Sequence, residues 1–185
     1  MAASDIPSGA PVAHHKALSP SAAAVRVALV TASDSRTPDT NEGGRLLRRL
    51  IEESGFSVSS DDLLEEEPAA LRDTVARLAG DADVVIVTGG TGIGPRDRTP
   101  DAVGALFDRR LPGFGELFRM LSFQEIGPAA MLSRADAGVV GAALVFLLPG
   151  SPAAVELAVR RLIAPELTHA VGQLRRASTH DHHER

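Results

Sequence analysis

The sequence predicts one three-layer α/β/α domain built on a mostly parallel sheet, and three observations predict it. Strand-like and helix-like segments alternate along the chain, the pattern of successive βα units. The segments at 25–31 (VRVALVT) and 83–87 (DVVIV) are short, nearly unbroken apolar runs, as expected of strands buried on both faces. The length of 185 residues suits one globular domain of ordinary size.

Each element follows from a local signal. Residues 1–24 are rich in Ala, Ser and Pro without an apolar period and are expected to form a mobile arm. The folded domain is expected over 25–176, and 177–185 (ASTHDHHER) as a polar tail. After the first strand, Asn41 is placed to cap a helix over 42–53, with Leu46, Leu47, Leu50 and Ile51 on one face and Gly55 to end it. A second strand is expected over 56–64, then a helix over 68–79 that starts at Pro68 and carries Leu71, Val75 and Leu78 on one side. The third strand, 83–87, runs into a glycine-dense loop, TGGTGIGPRDRTPDA (88–102), and a helix for which Thr99 is the expected cap and Pro100 the first residue. A helix over 111–124 follows, then a hairpin of 132–140 and 142–148 about Gly141, and helices over 152–162 and 165–174. Phe114, Leu117, Phe118, Met120, Leu121 and Phe123 spread over more than one face of the 111–124 helix, which is the mark of deep burial or of an interface.

Composition removes whole chemistries. There is no Cys, so disulfides, thiolate nucleophiles and Cys-ligated metals are excluded. The single lysine, Lys16, lies in the arm, which excludes a Schiff-base mechanism and a GK[ST] phosphate loop. Of the six His, only His169 lies inside the patterned region, so neither a histidine general base nor a His-rich metal site is expected. A net charge of −5 offers no field for nucleic acid or an anionic membrane. No apolar run approaches the ~20 residues of a membrane span, and the N-terminus lacks a signal-peptide core. A soluble cytoplasmic protein is expected.

Ligands of open α/β sheets collect at the carboxyl ends of parallel strands, so the loops after Val30, Leu64, Val87 and Leu148 are expected to share one rim. Glycines at 89, 90, 92 and 94 let backbone approach a ligand and offer amides to an anion, or simply make a tight turn. The spacing misses the dinucleotide fingerprint: from Gly90 the third glycine falls one place early, and Pro95 intervenes. Beyond it, Asp97 either caps the loop, pairs with Arg96 or Arg98, or acts chemically. Asp61, Asp62, Glu65, Glu66 and Glu67 put five acids into seven residues after the second strand. Such a run is either a solvated edge or, facing Asp97 across the glycine loop, half of a hard-oxygen site for Mg²⁺ and phosphate. Ser33 and Asp34, Ser133 and Arg134, and Gly150 and Ser151 are the polar contributions of the remaining loops.

TGGTGIGPRDRTPDA, followed by LPGFGELFRMLSFQEIGPAAMLSR, the Ala137–Gly138 pair and LPGSPAA, resembles the molybdenum cofactor biosynthesis family of MoaB and MogA type. The likeness runs over about 25–174, and FRMLSFQEIG lies nearer the MoaB branch. The resemblance implies a compact α/β/α domain that assembles as a trimer or a dimer of trimers. It also implies an adenylyltransferase in which the terminal phosphate of molybdopterin attacks the α-phosphorus of MgATP and expels pyrophosphate. Asp97 matches the family's catalytic carboxylate after the glycine loop. The second family carboxylate is an Asp; its best match here is Glu66, with Asp62 or Glu65 as alternatives, and the pair would hold Mg²⁺. The extra methylene matters, because misplacing a reacting group by about 1 Å can cost about 10²-fold in rate.

The resemblance further implies that Ser133 lies at the molybdopterin site, and that Thr88, Gly89, Gly90, Thr91 and Gly92 line the pterin and nucleotide pocket with Gly150 and Ser151. Arg134 or Arg96 would offset phosphate charge or form a structural salt bridge. Phosphoryl-type transfer needs alignment and charge neutralisation more than a covalent nucleophile, so a site without Cys, Lys or His is no obstacle. Two other functions fit the same residues: a non-catalytic paralogue that binds the pterin or a protein partner, and a nucleotide-binding regulator.

Overall fold

The computed structural model of the chain describes residues 19–180. The expected arm therefore falls outside the described residues up to 18, and the expected tail from 181 onward. Within them, Ser19 and Pro20 lie against Gly172, and Ala22–Ala24 make one 3₁₀ turn before the first strand. The last helix continues to His180, four residues into the expected tail.

The core is a sheet of β1 (Arg26–Ala32), β2 (Ser57–Leu64), β3 (Val84–Thr88), β4 (Arg109–Arg110), β5 (Asp136–Val140) and β6 (Ala143–Leu148), in the order β2-β1-β3-β6-β5-β4. β2, β1, β3 and β6 run parallel, and β5 and β4 are antiparallel additions at one edge. Side chains of a strand point alternately to the two faces. Val27 and Leu29 accordingly join one core with Leu47, Leu50 and Ile51 of α1 (Glu42–Glu53), Phe118 of α4 (Pro112–Ile126), Val155 of α5 (Pro152–Ala158) and Leu167 of α6 (Ala164–His180). Ala28 and Val30 face the other way, onto Leu71, Val75 and Leu78 of α2 (Pro68–Asp81) and Val103 of α3 (Thr99–Gly104). Two cores on two faces of one sheet make the three layers. Among the described residues, no helix is long and apolar enough to cross a membrane.

Asn41 caps α1 as expected: its Oδ1 accepts the Gly44 amide at 3.0 Å, while Nδ2 donates to Thr31 Oγ1 at 2.9 Å and ties the helix start to β1. Glu67 does the same for α2 by accepting from the Ala70 amide.

Three expectations need correction, and one strand was unforeseen. Thr99 is the first residue of α3, not its cap; its amide donates to Gly90 O at 3.1 Å, so the glycine loop takes the group a cap would have left free. Residues 132–135 are not strand. Gly127, at φ +64°, and Pro128 instead turn the chain into a 3₁₀ segment, Gly127–Leu132, whose Met131 and Leu132 stand exposed. The two C-terminal helices form one continuous helical run, because Pro165 has no N–H to donate and the chain loosens into a π turn over Val159–Ile163 ahead of it. The two-residue strand β4 carries no pattern of its own and was not expected; Arg110 is held there by Asp136 and by Gly104 O at 3.0 Å.

Candidate active site

Because β1, β2, β3 and β6 are parallel, their carboxyl ends meet at one rim, and the loops that follow them interlock there. Ser33 N–H donates to Leu64 O at 2.8 Å, joining the β1 and β2 loops. Gly89 N–H donates to Leu148 O at 2.9 Å, joining the β3 and β6 loops. Gly89 and Gly90 have φ of +102° and +60°, and a side chain on Gly89 would collide with the carbonyl of Ala32. Only glycine fits this turn.

Three carboxylates converge on the loop. Asp97 folds back over it, with Oδ2 accepting the Gly94 amide at 2.7 Å. Glu66 reaches it from the β2 side: its Oε2 lies 3.6 Å from where a Gly90 side chain would begin. Asp34 sits beneath Glu66, with Oδ1 accepting the Glu66 amide at 2.8 Å and Oδ2 paired with Arg96 at 3.2 Å. Burial raises the Glu66 carboxyl above its ordinary pKa, and the charges of Asp34 and Asp97 raise it further against a weaker opposing pull from Arg96. The expected facing pair, Glu66 and Asp97, is thus brought together, with Asp34 added. Asp62 lies instead by Arg77 (3.7 Å) and Asp61 by Arg48 (2.8 Å).

The other expected residues divide between two places. Thr91, Gly92, Ser133 and Ser151 line a cavity of about 250 Å³ between the glycine loop and α4. Thr88, Gly89, Gly90 and Gly150 do not line it; a side chain added to Gly150 would begin 3.4 Å from Gly89 Cα, so the β3 and β6 loops pack closely there. Ser33 Oγ accepts from the Ser35 amide (3.4 Å) and Ser151 Oγ caps α5 through Ala154 N–H (3.3 Å). Arg134 is turned onto the glycine loop, not out to solvent: Nε donates to Gly92 O at 2.8 Å, and Nη1 pairs with Asp101 at 3.1 Å. A larger cavity of about 570 Å³, lined by Leu111, Phe114, Phe146, Leu162 and Leu167, holds no residue of the glycine loop and none of the three carboxylates.

Two residues were missed. Ser122 is buried and lines the smaller cavity with Phe118 and Ile126, a polar interruption in an apolar helix that could have flagged it. Arg36 spans the rim to donate to Gly150 O at 3.4 Å; nothing in its local sequence distinguishes it from other arginines.

The donor set suits a hard cation of Mg²⁺ type, which is commonly held by one or two carboxylates and completed by substrate phosphates. Among the described residues, no group of three or more His, Asp or Glu is gathered closely enough to hold a metal alone. Phosphate oxygens would therefore have to complete the shell.

Comparison with known proteins gives the family. A family described as "Probable molybdopterin binding domain" matches residues 28–169. Molybdenum cofactor biosynthesis protein B of Bacillus cereus is 46% identical over 170 residues, 89% of this chain and 98% of that one. The crystal structure of a molybdenum cofactor biosynthesis protein B superimposes with a TM-score of 0.78 at 48% identity, over 82% of this chain and 96% of that chain. The tungsten cofactor synthesizing protein MoaB from Pyrococcus furiosus gives 0.74 at 31% identity, over 82% and 97%. A parallel-strand rim, its glycine loop and similarity along nearly the whole domain lead to one conclusion: the chain belongs to the molybdenum cofactor biosynthesis family of molybdopterin-binding domains.

Proposed function

We propose that this protein is a cytoplasmic molybdopterin adenylyltransferase: it joins AMP to the terminal phosphate of molybdopterin and releases pyrophosphate from ATP. The observation that carries the reading is the convergence of Asp97 and Glu66 on a glycine loop beside a cavity at the parallel-strand rim. In the reaction a phosphate oxygen of the pterin forms a bond to the α-phosphorus of ATP as the bond to the β-phosphate oxygen breaks. Bound Mg²⁺ would supply charge neutralisation for the phosphates.

The chain's own residues bind and align. Asp97 and Glu66 present oxygens to a cation, with Asp34 holding Glu66 in place through its amide. The backbone amides of 88–92 approach the phosphates without side-chain hindrance. Thr91, Ser133 and Ser151 give the cavity its polar edge, and Phe118, Ile126 and Leu132 give it an apolar wall for a ring system.

Supplied with molybdopterin and MgATP, the protein is expected to release pyrophosphate, and Asp97→Ala to lose nearly all of that activity. A wild-type chain that forms no AMP adduct contradicts the proposal; one that does so while still binding the pterin is the non-catalytic paralogue instead. We also propose a homotrimer or hexamer. Leu117, Met120, Phe123 and Ile126 of α4, with Met131 beyond it, leave a run of large apolar side chains about half exposed or more, which water disfavours unless another chain covers it. Light scattering is expected to give three or six times 19.3 kDa; a monomer at micromolar concentration contradicts it.

A further inference from the structure

We propose that Arg134 is a positioning residue: its guanidinium clamps the glycine loop and thereby sets where the Asp97 carboxylate stands, instead of neutralising substrate phosphate. One residue makes four contacts with the stretch 91–101. Its backbone amide donates to Thr91 O at 2.8 Å. Its Nε donates to Gly92 O at 2.8 Å, Nη1 pairs with both oxygens of Asp101 at 3.1–3.2 Å, and Nη2 donates to the carbonyl of Asp97 itself. All three nitrogens of the guanidinium are thus aimed at protein oxygens.

Asp97 is held in consequence at three points. Arg134 takes its carbonyl, its amide donates to Gly94 O at 3.0 Å, and its carboxylate receives the Gly94 N–H at 2.7 Å. Arg134 is itself braced, since Arg119 of α4 donates to the carbonyls on either side of it, Ala135 O at 3.0 Å and Ser133 O at 3.4 Å. The clamp therefore runs from the helix that walls the cavity to the carboxylate at its mouth. Only a planar fork can meet Gly92, Asp97 and Asp101 at once; a lysine ammonium in the same place keeps the charge and loses the geometry. That separates a positioning role from a phosphate-neutralising one.

The effect on rate rests on the adenylyl-transfer reading, so the test has one arm that does not. Arg134→Lys and Arg134→Ala, with Arg72→Ala on the exposed face of α2 as control, are assayed for pyrophosphate release and for amide hydrogen exchange. Both Arg134 variants are expected to lose about 10²-fold in kcat, the scale of an ångström of misplacement, with KM for ATP little changed. Both are expected to exchange the Gly94 and Asp97 amides faster while Val85 and Ile86 in β3 exchange as in the wild type, and Arg72→Ala to match the wild type throughout.

The proposal is overturned if Arg134→Lys keeps the wild-type kcat, if KM rises at constant kcat, or if exchange at Gly94 and Asp97 is unchanged or rises equally in β3. It is likewise overturned if Arg72→Ala behaves as the Arg134 variants do. A wild-type chain without turnover counts against the adenylyl-transfer reading alone, and the exchange arm still decides the clamp.

Discussion

Two acidic sites stand at opposite ends of the same sheet, and they are built on opposite principles. At the amino end of β3, Asp83 accepts the Arg26 amide at 2.9 Å and an Arg175 Nη2 hydrogen bond at 2.8 Å. Burial works to raise its pKa, but the bonds and charges of Arg175 and Arg26 overcome it and hold the carboxyl below its ordinary value. At the carboxyl end, Glu66 is also partly buried, yet its nearest influences include two further carboxylates and only one opposing arginine, and its pKa is raised. The first site is satisfied within the chain and ties α6 and the start of β1 to the start of β3. The second is left with negative charge that the chain does not balance, which is the condition for a site completed by a cation and phosphates.

The largest expected effect is on rate: Asp97→Ala should abolish turnover while its melting temperature stays near that of the wild type, because the carboxylate it removes accepts from a loop amide and the backbone bonds of residue 97 remain. Next is stability at the other end. Asp83→Asn should cost about 2 kcal/mol, given two hydrogen bonds to a mostly buried carboxylate but half-exposed arginines. For a chain of this length that is about 4–8 °C in Tm.

Because the folded-state carboxyl of Asp83 titrates below its unfolded value, its contribution is complete above about pH 4 and is lost as the pH falls through the folded-state value. The wild-type and Asp83→Asn melting temperatures should therefore converge in acid. The smallest effect has the opposite sign. Glu66 is easier to ionise in the unfolded chain than in the folded one, so at pH 7 Glu66→Gln should keep or slightly raise Tm while lowering turnover. Equal losses of Tm in Glu66→Gln and Asp83→Asn would erase the distinction between the two ends.

Legibility in the sequence followed the same division. The strands and helices of the parallel half were readable because burial on both faces leaves unbroken apolar runs, and because Asn41, Gly55 and Pro68 are local signals with local causes. The antiparallel edge was not. β4 is two arginines paired with β5, where Arg110 also bonds to Asp136, 26 residues away, and 132–135 departs from the expected strand because a positive-φ glycine followed by proline starts a 3₁₀ segment ahead of it. The rim was readable as a set of loops, since parallel order alone gathers them, and the meeting of Glu66 with Asp97 was foreseeable from it. The direction of Arg134 was not: its partners lie 33 to 42 residues away in the chain, and no spacing rule distinguishes an arginine that faces a ligand from one that grips a loop. The π turn before Pro165 shows the reverse case, a local signal whose consequence was a loosened helix where a break was expected.

If the proposed function holds, the unbalanced negative charge of the rim is completed by a cation and phosphates. Calorimetric titration of ATP into the wild type and into the Asp97→Asn, Glu66→Gln double variant, each with and without Mg²⁺, tests it directly. Tighter ATP binding with Mg²⁺ in the wild type, and loss of that dependence in the double variant, is the predicted result. ATP affinity indifferent to Mg²⁺ in the wild type, or a Mg²⁺ dependence undiminished in the double variant, would contradict it.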